Sequence, residues 1–484
     1  ERLEVDAALR GLGLAAELQT AYLDQLATAF EHGGDMRAVL AEATAHAQQS
    51  GTHLLADLAP VPATAGLVHF TVERQELTRA LLTAKAVREA DESGLGKIQV
   101  ACHGTAILRV GTAGEGLSQS FFELRLLTTR CQREGDVTVQ GRALHDTLRT
   151  FGNGPIELIK AEGRNVLKLR QRALETNLPT VDYVPIDPGS ADMTPAGVLT
   201  LDQLQGMLTA VVHVAQVAAT SAKHLAVVRF AFEDGRLHLV ATDGERLVRA
   251  VQTLPGGEAL AGLQLAAADA DRLRRLLSAY SQYLHPKDAA APVRLNLSAR
   301  PGHYLTGEFD ALRFTLPHDP RDFPNYTNAI PKKVPDVVVV SHSELRAHLY
   351  AARRIFGDDL VPVAQLRVCA DGVAVRVTHP HTGEVAEYAI QDASSYGRPF
   401  TRTLSVSRVL DVLEHLPSAS HHALACDAGA FTTPIVVMPW PHHGGKTRTK
   451  TQVWEFVALG LRVGTFALVM PVRTEKEEDH GCSH

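Results

Sequence analysis

Cysteine, long apolar runs and an excess of positive charge are all scarce in this sequence, and each shortage excludes something. Five cysteines occur among 484 residues, at Cys102, Cys131, Cys369, Cys426 and Cys482, with no CxxC pair and no even framework. A disulfide scaffold or a structural zinc site is therefore not expected, and the five read as buried or idle thiols in a reducing cytosol. No run of eighteen apolar residues appears, and ERLEVDAALRGLG at the start has neither a basic n-region nor an apolar h-region. A cytoplasmic chain with no membrane partner is expected. The formal charge is −6, from 48 Lys and Arg against 54 Asp and Glu. That lacks the pervasive basicity of many nucleic-acid binders, so any DNA contact must come from a local basic face.

Catalytic signatures are scarce too. No G-x-S-x-G elbow occurs. GGKT (444 to 447) resembles the tail of a phosphate-binding loop, but the first glycine of that motif falls on Trp440 and the preceding strand context is wrong. The histidines of HPH (379 to 381) and of the HH pairs at 421 and 442 have no spaced set of further ligands, so they read as turn and surface residues rather than metal ligands. His442 and His443, beside Lys446, Arg448 and Lys450, offer a basic loop for DNA or a partner. Catalytic residues, metals and cofactors are thus expected to be none; a hydrolase or NTPase with an unrecognised site is the enzymatic alternative.

What is present is a repeat. The length suggests three or four domains. Leu and Ala recur at helical spacing in the first 57 residues and end at LAPVPATAG, which sets residues 1–66 apart as a helical N-terminal extension and linker. From residue 67 strands alternate with short helices, and breaks at VPIDPGSADMTPAG and IPKKVPD divide the remainder into 67–190, 191–331 and 332–484. A strand running into a helix recurs around Leu77, Leu204 and Leu345, and a second such pair around Leu144, Leu273 and Leu410, separated from the first by 67, 69 and 65 residues. Three copies of one α+β unit, each with two helices laid on a sheet, are expected to pair edge to edge.

VATDGERLVRA (240 to 250) is open to two readings by itself: an acid/base pair on a tight turn, or a hairpin shaping a surface, with Gly244 supplying positive φ. Its neighbours narrow the choice. VATDGERL, FTVERQEL (70 to 77), TNLPTVDYVPI (176 to 186), RDFPNYTNAIP (321 to 331) and FALVMPVR (466 to 473) together resemble, in order and spacing, the bacterial DNA polymerase III β subunit, the sliding clamp. The resemblance covers residues 67 to about 473. It implies α+β architecture with three repeated clamp domains closing head to tail with a second copy into a homodimeric ring around double-stranded DNA, and a role in processivity as an accessory subunit without catalytic activity. Its partners would be the replicative polymerase, the clamp loader and other clients bearing short clamp-binding peptides. A ring holds DNA by topology, so it can be acidic overall if its inner helices carry basic residues making few, screenable phosphate contacts. Arg79, Lys85, Arg88, Arg142, Arg149, Arg272, Arg274, Arg275, Arg346, Arg353 and Arg354 occupy those helices, and Lys223 and His224 the loop TSAKHL.

The resemblance also implies a client-peptide pocket at Leu225, Thr242, Gly244, Arg246, Leu247, Pro324, Val469, Met470, Pro471, Val472 and Arg473. Its apolar members suit an adaptable groove, and Thr242 and Arg246 suit a peptide's polar backbone or acidic side chains. Glu245 stands where the family usually has His, and Asn328 and Ala329 where it has Arg and Val, which puts the preferred peptide in doubt. IVVMPW (435 to 440) is a second candidate for the terminal motif. Choosing FALVMPVR makes 441–465 an extended hairpin tip or insertion. A clamp-like peptide-binding scaffold not loaded on DNA is the remaining alternative.

Overall fold

The computed structural model describes residues 68–88, 96–111, 120–160, 163–181, 193–283, 294–300, 303–309, 311–356, 362–430, 433–441 and 449–472. All belong to the second of the two units into which the chain divides, Gly66–His484. The expected N-terminal extension and the loop carrying His442, His443, Lys446 and Arg448 lie outside the described residues.

Seven α-helices occur among the described residues: α1 (Arg74–Arg88), α2 (Gly141–Leu148), α3 (Leu201–Ser221), α4 (Ala267–Tyr283), α5 (His342–Phe356), α6 (Val406–His415) and α7 (Lys450–Val463). Each of the first six follows directly on a strand. Leu77, Leu204 and Leu345 sit in α1, α3 and α5, and Leu144, Leu273 and Leu410 in α2, α4 and α6; all six are buried. Packing recurs as well: α1 lies against α2, α3 against α4 and α5 against α6, while α1 also meets α4 and α3 meets α6. The start of α3 shows why such helices begin where they do. Thr200 Oγ1 accepts from Gln203 N at 3.1 Å while Gln203 returns a side-chain oxygen to Thr200 N at 2.8 Å, a reciprocal cap on two amides that the helix cannot satisfy itself.

The strands form antiparallel sheets of five, eight, nine and four. The eight-stranded sheet joins the first and middle thirds where Leu312–Pro317 pairs with Phe121–Leu126, in the register Leu312 to Leu124 and Phe314 to Phe122. The nine-stranded sheet joins the middle and last thirds where Arg246–Thr253 pairs with Phe466–Val469. FALV is thus the strand that meets the middle third, and IVVMPW, as Ile435–Trp440, is its next neighbour in the same sheet. Edge-to-edge pairing of unlike thirds leaves open edges in the other two sheets, among them Leu174–Pro179 and Val385–Ile390.

One expectation is narrowed and one corrected. Of the hairpin tip or insertion expected between those last strands, the described residues show an inserted helix, α7. Thr449 and Gln452 form a second reciprocal cap at its start, and Val453, Val457 and Leu461, at i, i+4 and i+8, bury one stripe. That stripe shares a cluster with Val240, Leu247, Val436, Met438, Phe466 and Leu468, so α7 covers the face of the nine-stranded sheet opposite to the other helices. Arg249 ties down its end: Nη2 donates to the carbonyls of Gly460, Leu461 and Gly464 at 3.3, 2.6 and 3.2 Å, and the guanidinium stacks 4.4 Å from the Phe466 ring centre. The correction concerns the thiols. Cys102, Cys131 and Cys426 are free, but Cys369 is disulfide-bonded. It ends the strand Val363–Cys369 half-buried beside a turn, whereas Cys426 is fully buried.

Candidate functional site

The hairpin between the strands Arg236–Thr242 and Arg246–Thr253 is built by short local bonds. Asp243 Oδ1 accepts from Glu245 N at 3.0 Å and from Arg246 N at 2.9 Å, a turn role that Asp performs through its short side chain. Thr242 Oγ1 donates to Arg246 O at 2.8 Å and accepts from Gly244 N at 3.1 Å. Gly244 adopts φ 91°, the left-handed region that glycine enters without steric cost. Asp243 Oδ2 then receives Arg246 Nε at 3.0 Å, and Arg246 Nη1 reaches Asp411 on α6. Glu245 pairs with Arg408, also on α6. The two carboxylates of the turn are therefore engaged as structural acceptors. Burial is nearly complete at Arg246, with 4% exposed, so its charge serves the junction of the middle and last thirds.

The residues assigned to the pocket divide accordingly. Side chains alternate across a strand, and Arg246, paired with Val469, faces the helices, while Leu247, paired with Leu468, faces α7. Val469 is fully buried and, with Leu345, Leu404 and Val409, lines a small apolar cavity inside the last third. Leu225 is buried too, with a methyl 3.7 Å from where a Cβ on Gly244 would lie. Thr242 is buried in the turn. Gly244, Pro324 and Met470 are exposed, and Pro471 and Val472 half-exposed. Met470 N donates to Glu245 O at 2.9 Å, and Val472 N to Thr403 O at 2.9 Å, which continues the terminal segment past the hairpin. Phe323, beside Pro324, packs against the cluster holding Leu247 and Leu468. Arg473 lies outside the described residues.

The basic candidates differ in availability. Lys85, Arg142, Arg149, Lys223, His224, Arg346, Arg353 and Arg354 are exposed, and Arg79 half-buried; the side chain of Arg88 lies outside the described residues. Arg142 has Asp146 at 3.8 Å, and Arg346 has Glu414 at 3.5 Å with its guanidinium over Tyr350. On α4, Arg272 pairs with Asp269 at 2.9 Å, and Arg274 and Arg275 with Asp271 at 2.7 and 3.0 Å. No lysine or arginine occurs in α3.

No family model and no curated protein matches this sequence. Solved structures do match its fold. The β sliding clamp of C. crescentus superposes with TM-score 0.66 at 18% identity, over 84% of this chain and all of that one. The DNA polymerase sliding clamp of Bacillus subtilis gives 0.66 at 14%, over 84% and 99%, and the DNA polymerase III β subunit of Thermotoga maritima 0.65 at 17%, over 84% and 100%. The chain has the sliding-clamp fold. At this identity the likeness rests on backbone geometry, and the side chains at the site must be argued individually.

Within the clamp fold, the residues that sequence reasoning missed are those that brace the hairpin from α6 and α3: Arg408, Asp411, His415 and His213. The rings of His213 and His415 stack with centroids 4.0 Å apart and an interplanar angle of 13°. Burial, with His415 and Arg246 alongside, pushes the His213 pKa down to about 2, so the ring is neutral. The one sequence signal was spacing, since Arg408, Asp411 and His415 fall at i, i+3 and i+7 and so share a face of α6.

Proposed function

We propose that this chain is a DNA sliding clamp: a ring-forming, non-catalytic accessory subunit that encircles duplex DNA and holds client proteins on it. The observation that carries this reading is the clamp fold spanning essentially the whole of the solved clamps, with two sheets running unbroken from one third to the next. Three domains at 67–190, 191–331 and 332–484 agree with the recurring helix pairs. The open edges at Leu174–Pro179 and Val385–Ile390 each expose an apolar residue, Leu174 and Val385, as edges that pair with a second copy would. Exposed Lys85, Arg149, Arg353 and Arg354 supply cations for sliding contacts.

Clients would dock beside the hairpin, against Gly244, Pro324, Met470 and Pro471, and Arg246 would support that surface from beneath. A short peptide burying two or three apolar side chains gains about 1.5 to 3 kcal/mol from each, less ordering costs, and micromolar exchange near −8 kcal/mol is expected. The Pseudomonas aeruginosa clamp, 18% identical with TM-score 0.63, was solved bound to griselimycin, which supports a ligand-accepting surface on this fold. A second reading, a peptide-binding scaffold not loaded on DNA, is favoured by one observation: Asp269 and Asp271 pair with the three α4 arginines and leave a single net positive charge there, and α3 carries no lysine or arginine. Light scattering tests ring closure. A mass near twice 52.2 kDa is expected, and a stable monomer at micromolar concentration contradicts a self-closing ring.

A further inference from the structure

The two joints between thirds are built alike, and tracing them across their sheets points to a third. Glu123, Arg249 and Glu387 hold one position in the repeat. Each is reached by stepping from strand to paired strand, starting two residues before the end of the strand that leads into α2, α4 or α6: Thr138 leads to Glu123, Gln264 to Arg249 and Thr403 to Glu387. Glu175, Arg313 and Phe466 hold the matching position on the other side, reached in the same way from the strands that lead into α1, α3 and α5, the last step to Phe466 continuing the pairing of Val437 with Ala467. At the two joints within the chain these positions face each other: Arg313 lies opposite Glu123, and Phe466 opposite Arg249. Both pairs attract. Arg249 stacks on the Phe466 ring, and Arg313 and Glu123 are opposite charges that are both buried. The remaining member of each set lies on an open edge, Glu175 on Leu174–Pro179 and Glu387 on Val385–Ile390.

We infer that a second copy pairs with these edges in the same register, which sets Glu175 of one subunit opposite Glu387 of the partner subunit and makes the closing joint the weakest of the three. The next residue along fits that register. Exposed Leu174 meets Tyr388 of the partner subunit, as Leu312 meets Leu124 at the joint of the first and middle thirds, where both leucines are buried. Apolar side chains thus come together in both cases. At Glu175 the charges do not, because like charges directly opposite on paired strands are destabilising. Cations stand on either side of this step. Lys168 lies 2.7 Å from Glu175, and Arg170, directly across from Glu175, is turned to Glu157 at 3.0 Å. Arg376 lies across from Glu387, which Arg367 reaches at 3.0 Å. Lys168 and Arg367 are already engaged in the separate subunit, so they soften the repulsion without turning it into an attraction.

The like-charged pair falls at the joint between copies, whereas the two joints within the chain carry attractive pairs. A ring that must part to admit DNA then parts between subunits and leaves the joints within each chain whole; this consequence rests on the proposed ring function. The test is the dimer dissociation constant of the full chain, by sedimentation equilibrium, for the parent, Glu175→Lys, Glu387→Lys and the double variant. Each single change sets a lysine against a carboxylate at both joints of the dimer and is expected to lower Kd at least about fivefold, because a repulsion becomes an attraction. The double variant sets lysine against lysine and is expected to lose that gain, a non-additivity that only directly interacting positions produce. Both positions are exposed, so Tm in dilute solution is expected to stay near that of the parent; Glu175→Gln, which adds no cation, is expected to lower Kd by a smaller factor than Glu175→Lys. An unchanged or raised Kd in either single lysine variant, or a double variant tighter than both, overturns the pairing of Glu175 with Glu387. A dimeric parent whose single variants are unchanged keeps the ring and loses this register. A monomeric parent whose single variants dimerise supports the pairing, and a parent and single variants that all stay monomeric contradict both the pairing and the ring.

Discussion

Asp243 and Glu245 illustrate how residue identity becomes position. An Asp-Gly turn is legible locally, because a short carboxylate accepting two amides and a glycine at positive φ need no distant partner. That is what Asp243 and Gly244 do. The partners of Glu245 and Arg246 were not legible, since Arg408 and Asp411 arrive from far along the chain and no local pattern announces them. Glu245, where the resemblance implies His, is engaged by Arg408, so the departure has a structural counterpart rather than a vacancy. Met470 is the exposed apolar residue whose backbone the hairpin already holds. Met470→Ala is expected to weaken a short apolar client peptide at least tenfold in fluorescence anisotropy, about 1.5 to 3 kcal/mol, while Tm stays nearly constant; unchanged affinity removes it from the groove. Acid sensitivity is also a residue property. Burial holds His238 and His422 down to about 4 from an ordinary 6.5. The unfolded chain then takes up protons below 6.5 that the folded chain refuses until about 4, so stability is constant above that window and falls as pH drops through it. Urea midpoints measured from pH 7.5 to 4 check this, and a flat profile contradicts it.

Among the elements, six helices were legible because each follows a strand and carries buried leucines at recurring positions. The seventh was expected only as a hairpin tip or an insertion, without its helix. TKTQVWEFVALGLRV (449 to 463) carries a cap and an apolar stripe, but a segment between two strands was assigned by the need to join them, and the face it covers exists only once the nine-stranded sheet has formed. The Cys369 bond was equally invisible, because pairing depends on three-dimensional proximity and not on spacing. Arg249 is the residue through which α7 is fastened. Arg249→Leu removes three bonds to the helix's last carbonyls and the stack on Phe466; a loss of about 2 kcal/mol is expected from a charged donor of this kind. Hydrogen exchange should accelerate across 450–463 specifically. Exchange as slow as in the parent means that the apolar stripe alone holds the helix.

For the molecule as a whole, near-equal spacing of strand-helix pairs was the legible signal, since a repeated unit repeats its buried positions, and all six marker leucines are buried. How the thirds join was legible only in outline: edge pairing was expected, but its register, Arg246 against Val469 and Leu247 against Leu468, is set by alternation of side chains across two faces that are both covered. The distribution of cations matters most at this scale. With α4 keeping only one net positive charge among its paired groups and α3 without lysine or arginine, attraction alone is weak, and under the proposed function retention on DNA would come from closure. The decisive measurement is therefore retention after loading by an ATP-driven clamp loader onto a nicked circle, followed by linearisation. The protein is predicted to stay on the circle in high salt and to leave once the circle is cut. Equal retention on circular and linear DNA, or none on either while client peptides still bind, contradicts a sliding clamp.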